Sequence, residues 1–242
     1  MSIKRKTSGQ PRVAILDILR GVSILLMVVY HFAIDLYYVG RLSADLMFHP
    51  VVNFLQVFFA CLFILISGIA CRFSRHNAKR GLLLFAAGLV VTLVTYLFDR
   101  NNPVLFGILH FLGVSALLFA ALRPLIDRLI PLAIQPVLYL AGAVFTWGIP
   151  YRFYNVSYLW PLGFRPWGFG SADYFPLLPY FFVYLFGTWL GVFVAGGKMP
   201  GWFYRIRCPF LEKVGRNTLW IYALHQPILM GLVLALDRWI LA

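Results

Sequence analysis

Seven times in 242 residues this chain runs apolar for close to the length that crosses a bilayer. The runs are Val13–Val39, Val51–Cys71, Gly81–Phe98, Pro103–Leu122, Ile130–Ile149, Tyr174–Ala195 and Asn217–Leu241. About 20 apolar residues make a spanning helix, because each residue rises about 1.5 Å and the hydrocarbon core is about 30 Å thick. Backbone polar groups find no water there, so only helices and closed barrels span. These runs are continuous and lack the alternation of barrel strands. The sequence therefore predicts an all-α fold, a polytopic integral membrane bundle of about seven transmembrane helices. With 62% hydrophobic and 12% charged residues, against about 45–50% apolar in soluble domains, it reads as a single domain over 1–242.

A formal charge of +13 would suggest nucleic acid in a soluble chain. Here Lys and Arg set orientation instead, and no nucleic-acid partner is expected. With the N-terminus in the cytoplasm, the inner side holds Lys4, Arg5, Lys6 and Arg12, then Arg72, Arg75, Lys79 and Arg80. It also holds Arg123, Arg128, Lys198, Arg205, Arg207, Lys213 and Arg216, whereas the outer side holds only Arg41, Arg100, Arg152, Arg165 and Arg238. Fifteen against five predicts N-in and C-out. The first run is too long for a signal peptide and lacks a small-residue cleavage site, so it reads as retained. Cys61, Cys71 and Cys208 suggest no disulfide framework.

Inside the first run stand ionisable residues that need a reason. A charge at bilayer depth costs at least about 2.5–3.5 kcal/mol, so such residues face the protein interior and mark functional sites. Arg20 and His31 are eleven residues apart, which at about 100° per residue returns nearly to one face, about 16 Å further along. Asp17 and Asp35 share that stripe within an arc of about 60°. An i, i+4 His31 and Asp35 pair can hydrogen-bond, fixing a tautomer for a general base or an acyl-accepting nucleophile. The plainer reading is a buried histidine tying helices together.

Elsewhere His110 lies between Gly107 and Gly113 at a depth like that of His31, as a packing residue or a cavity residue. His225 precedes Gln226 and Pro227, whose kink accounts for the proline and not for the histidine. Asp173 opens the sixth run, as an N-cap or as a group orienting an acceptor. Between residues 151 and 173 runs an outer segment rich in aromatic residues, including Trp160 and Trp167, either an interface belt or an acceptor platform. The basic stretch Gly196–Arg216 suits anionic lipid head groups or the phosphates of a soluble donor. No metal-ligand pair, serine elbow or Walker loop is present, and no metal is expected. These residues form a track with Arg20 inward, His225 midway, His31 and His110 beyond, and Asp173 at the outer mouth.

Residues Arg12 to Gly21, continuing to Met27 and His31, resemble the opening helix of transmembrane acyltransferases. Phe106 to His110, Asp173 to Pro179, and Leu224 to Pro227 resemble segments of bacterial relatives of the heparan-alpha-glucosaminide N-acetyltransferase catalytic domain. This resemblance implies transfer of an acyl group, acetyl above all, from cytoplasmic acyl-CoA to an extracytoplasmic amine or hydroxyl on a glycan or lipid-linked acceptor. It implies the bacterial cytoplasmic membrane, with membrane lipids around the chain and a homodimer left open. Carried over, His31 is catalytic and Arg20 belongs to the donor channel; from the residues themselves, Asp35 orients His31, and His110 or Tyr174 donates to the oxyanion of a tetrahedral intermediate. Arg20, Arg72, Arg80, Arg216 and His225 are the expected acyl-CoA-binding set, and Asp173, Tyr174 and Trp167 the acceptor-binding set. The chain departs from the family in one respect: the lysosomal member has its reactive histidine beyond the first helix, where His49 stands nearest here. Direct attack in a ternary complex and an acyl-histidine intermediate both remain open. A proton-coupled small-solute transporter or channel is the alternative, since intramembrane histidines and acids also relay protons.

Overall fold

The computed structural model describes residues 12–240, the side chains of 239 and 240 excepted. Lys4, Arg5 and Lys6, and Leu241 at the end of the last run, lie outside the described residues. The helices are α1 (Ala14–Tyr38), α2 (Ala44–Met47), α3 (Pro50–Phe73), α4 (Asn77–Phe98), α5 (Ile108–Leu129), α6 (Gln135–Thr146), α7 (Leu177–Ala195), α8 (Gly201–Arg205), α9 (Pro209–Arg216) and α10 (Thr218–Ile240). No strand occurs among the described residues, only isolated bridges of Phe106 with Tyr174 and Phe153 with Arg165. Two compact units result, Met1–Phe59 with Met199–Ala242, and Ala60–Lys198.

Six of these helices, α1, α3, α4, α5, α7 and α10, are long and apolar enough to cross a membrane. The fifth apolar run is where helix and expectation differ. Its α-helix covers only Gln135–Thr146, about 18 Å at 1.5 Å per residue. Turns after Pro131 and a 3-10 turn at Ile149–Tyr151 take up the rest: Pro131 stands before the helix, Pro136 sits in its first turn where proline starts a helix, and Pro150 lies in the 3-10 turn. The fourth run also shifts, since its helix starts at Ile108 and passes Pro124 to Leu129.

In the first unit α1 packs on α9 and α10. Contact between α1 and α9 is backbone on backbone. A Cβ on Gly21 would strike the Leu211 carbonyl, and one on Gly215 the Asp17 carbonyl, so glycine permits the approach. The α9 start is capped by its own Glu212, which accepts from Cys208 N–H at 3.3 Å. Alongside α10, His31 meets His225, Asp35 meets Gln226, and Arg41 meets Asp237. Both sequences rise together, so α1 and α10 run parallel.

In the second unit α4 and α5 are antiparallel, with Gly81 against Gly113 and Gly88 against His110. The α3 and α7 pair is parallel: Leu65 stands against Gly187 and Ile69 against Gly191. Since α4 and α5 cross between them, a parallel α7 requires one further traverse, which the 130–151 segment supplies despite its short helix. Exposed Leu82, Leu83, Leu89, Val90, Leu93, Val94, Leu97 and Phe98 cover α4. So wide an apolar face has lipid as its natural solvent.

Candidate active site

The polar stripe of α1 forms two centres in the first unit. At its start Asp17 is buried, with Arg12 Nε at 2.8 Å and Arg20 Nη1 at 3.0 Å on its two carboxylate oxygens. A buried carboxylate is tolerable only when so paired. Arg216 follows Gly215, the glycine packed on Asp17, so Arg20 and Arg216 belong to the same end of this unit. The Arg216 Nε donates to the Glu212 carbonyl at 3.1 Å.

Three turns along, His31 and His225 meet edge to face with ring centroids 4.8 Å apart. His31 Nδ1 lies 2.9 Å from the Met27 carbonyl, and His225 Nδ1 lies 2.6 Å from the Tyr222 carbonyl. Carbonyls only accept, so each Nδ1 carries hydrogen and each neutral ring keeps a lone pair at Nε2. His225 Nε2 is buried and has no hydrogen-bond partner among the described residues. The expected pairing of His31 with Asp35 is replaced by two others. Met27 orients His31, while the buried Asp35 carboxylate takes both contacts of Gln226 Nε2, at 2.9 and 3.1 Å. Gln226 Oε1 is itself buried and unpartnered among the described residues. The reach of Gln226 to Asp35 is tertiary and carries no local signal in the sequence. His49 is exposed and its Nδ1 accepts from Val51 N–H at 3.3 Å, at the start of α3.

The second unit gathers the other expected residues around the start of α5. His110 is 2% exposed, held against Gly88 and stacked on Phe106 with centroids 5.8 Å apart. Thr92 spends its hydroxyl proton on the Val104 carbonyl at 2.5 Å and so accepts from His110 Nε2 at 3.3 Å. His110 Nδ1 is left buried and unpartnered among the described residues. Asp173 caps a different helix from the one it precedes. Its Oδ2 accepts from Ile108 N–H at 2.9 Å, supplying the cap that Gly107 lacks at α5. Tyr174 donates its hydroxyl to the Trp160 carbonyl at 2.6 Å. Burial pushes that phenol above its ordinary value, and Arg165 draws it partly back. Trp167 is 76% exposed and stacks on Phe153 at 4.9 Å, with the Arg165 guanidinium over Phe153 also at 4.9 Å. That outer segment is therefore a folded aromatic stack.

Arg72 is nearly buried and tied three ways: to both Asp127 oxygens at 2.8 Å, to the Thr188 carbonyl at 3.0 Å, and over the Phe119 ring at 5.1 Å. Arg80 reaches Cys71 Sγ at 3.8 Å, and that thiol meets Tyr184 Oη at 2.6 Å. Near the turn between α3 and α4 an open cavity of about 440 Å³ is lined by Arg75, Lys79 and Arg123. No group of three or more His, Cys, Asp or Glu poised for a metal occurs among the described residues.

A family profile described as "Heparan-alpha-glucosaminide N-acetyltransferase, catalytic" matches residues 12–227. Comparisons with curated proteins and with solved structures find no match.

Proposed function

The chain belongs to the heparan-alpha-glucosaminide N-acetyltransferase catalytic family, and from that premise we propose that it carries an acetyl group across a bacterial cytoplasmic membrane. The donor is cytoplasmic acetyl-CoA and the acceptor an extracytoplasmic amine of a glycan or glycolipid. The observation that carries this reading is the His31 Nε2 lone pair, held by the Met27 carbonyl on a polar stripe about 16 Å from Arg20. Arg20 and Arg216 mark the donor end of the first unit, where guanidinium groups suit the donor's phosphates. His31 then acts at the acceptor end as general base. Taken by itself, the exposed Trp167 and Phe153 stack of the second unit is a face of the kind that sugar rings bind.

An amine suits the first unit better than a hydroxyl. His225 Nε2 and Gln226 Oε1 are buried acceptors with no hydrogen-bond partner among the described residues, and the His31 ring, whose Nε2 is a further acceptor, meets the His225 ring. An ammonium group brings three N–H donors where a hydroxyl brings one. The ammonium yields one proton to His31, which releases it to solvent; the free amine then attacks the thioester carbonyl and gives a second proton to His31, and that proton leaves on the thiolate as the C–S bond breaks. The role of His49 at the start of α3 favours His31 over His49 as the reacting histidine.

Proteoliposomes loaded with isotopically labelled acetyl-CoA and bathed in glucosamine test the proposal. Labelled N-acetylglucosamine should accumulate outside, by mass spectrometry. Label that stays inside as acetate, with no external product, contradicts it.

A further inference from the structure

At the inner end of the second unit, the open cavity of about 440 Å³ lies between the α3–α4 turn and α5, lined by Ser74, Arg75, His76, Asn77, Lys79 and Arg123. It takes no part in the acetyl transfer proposed above. Its positive charge is uncompensated. Arg75 and Lys79 have no ion-pair partner among the described residues. Arg123 gives only Nε, at 3.4 Å, to Asp127, whose two oxygens are already held by Arg72 Nη1 at 2.8 Å. Three cations lining one cavity repel one another, and an anion among them relieves this. The start of α4 adds to the pull: no side chain caps it, and the first N–H groups of a helix attract negative charge. Asn77 asks for the opposite kind of group. It is 6% exposed and donates Nδ2 to the Cys71 carbonyl at 2.9 Å, which leaves Oδ1 buried with no hydrogen-bond partner among the described residues. A buried acceptor is costly to leave unmatched, so a ligand that fits this cavity brings a hydrogen donor beside its negative charge.

We propose that the cavity binds the head group of an anionic glycerophospholipid of the phosphatidylglycerol type, with its phosphodiester on Arg75, Lys79 and Arg123 and a terminal hydroxyl on Asn77 Oδ1. Phosphodiester oxygens only accept, so they suit the cations, and the hydroxyl supplies the donor that they lack. The surroundings favour a lipid over a soluble phosphate. Leu82 and Leu83, both 62% exposed, follow Lys79 by about one turn of α4, and Leu122 and Leu125, exposed as well, flank Arg123 on α5. Acyl chains therefore have an apolar face to lie on beside the head group. Basic pockets between helices at the cytoplasmic side dock such head groups, with lysine stems lying along the apolar surface.

Native mass spectrometry of the full chain in neutral detergent, titrated with single lipids, tests the site. Phosphatidylglycerol should bind at least about fivefold more tightly than phosphatidylmethanol, which keeps the phosphodiester and lacks the hydroxyls, and more tightly still than zwitterionic phosphatidylcholine. Arg75→Gln should weaken phosphatidylglycerol about fivefold, as loss of one cation beside a phosphate does. Arg128→Gln removes an equal charge from the last turn of α5, outside the cavity, and should change binding less than about twofold. Both arginines are exposed, so neither variant disturbs the packed helices. Equal losses in the two variants, or equal binding of phosphatidylglycerol and phosphatidylcholine, overturn the site. Equal binding of phosphatidylglycerol and phosphatidylmethanol overturns the match to Asn77, and with it the phosphatidylglycerol type. Displacement by millimolar glycerol 3-phosphate or coenzyme A makes a soluble phosphate the occupant and overturns the lipid. Binding is read without turnover, so this site stands or falls apart from acetyl transfer.

Discussion

Gln226 on α10 donates its Nε2 to both carboxylate oxygens of Asp35 on α1, at 2.9 and 3.1 Å. This contact lies next to the contact between His31 and His225, so it fixes how the two parallel helices present their imidazoles. Asp35 is thereby a positioning residue acting through α10, and Met27 performs the orienting that an Asp–His pair would have performed.

Asp35→Asn weakens a buried charged hydrogen bond, an interaction worth about 1.5–3 kcal/mol. It should lower the melting temperature in detergent and slow acetyl transfer by about tenfold, leaving the reaction measurable. Loss of all turnover at an unchanged melting temperature would instead make Asp35 a direct participant.

The backbone contact of α1 with α9 leaves no room for a side chain at Gly21 or Gly215. Gly215→Leu should cost at least the 1–3 kcal/mol typical of overpacking, and should abolish the monodisperse peak in size-exclusion chromatography. Gly231 on α10 has open space around its Cβ position. Gly231→Ala should leave the melting temperature unchanged or raise it, since alanine favours helix by up to about 1 kcal/mol.

Arg72 ties α3 to α5 and α7 through Asp127 and the Thr188 carbonyl. Arg72→Met leaves those partners without it and should destabilise by less than the roughly 3–5 kcal/mol of a fully buried pair, because Asp127 is 41% exposed on its side chain. Asp127→Asn should cost less than Arg72→Met. The KM for acetyl-CoA, measured on the folded fraction, tells whether Arg72 also contacts the donor.

Tyr174 ties the aromatic segment to the start of α7 through Trp160. Its folded-state phenol titrates above the ordinary value because of burial. The stability this contributes is fully present below the unfolded phenol's value of about 10 and is lost as pH rises through the folded value. Wild type should therefore lose melting temperature faster than Tyr174→Phe above about pH 10, and parallel curves would contradict the burial.

The spanning helices were legible because lipid imposes one rule on every span, a continuous apolar run of fixed length. The Arg20 and His31 stripe was legible for the same kind of reason, since helix period alone puts those residues on one face. The late start of the fifth helix was written in Pro131 before it and Pro136 in its first turn, which a hydropathy average does not register. Asp173 capping α5 was not legible, because its partner Ile108 lies 65 residues away and nearer helix starts compete for it. The exchange of partners between Asp35 and His31 was hidden likewise: local spacing offers the i, i+4 pair, and only the packing of α10 supplies Gln226.

The central claim is that the base nitrogen of His31 serves acetyl transfer. Purified chain given isotopically labelled acetyl-CoA and glucosamine, wild type beside His31→Ala, tests it by mass spectrometry of product and protein. The account predicts labelled N-acetylglucosamine from wild type and none above background from His31→Ala, with acetyl-CoA binding and melting temperature close to wild type. Wild-type levels of labelled product from His31→Ala would contradict it.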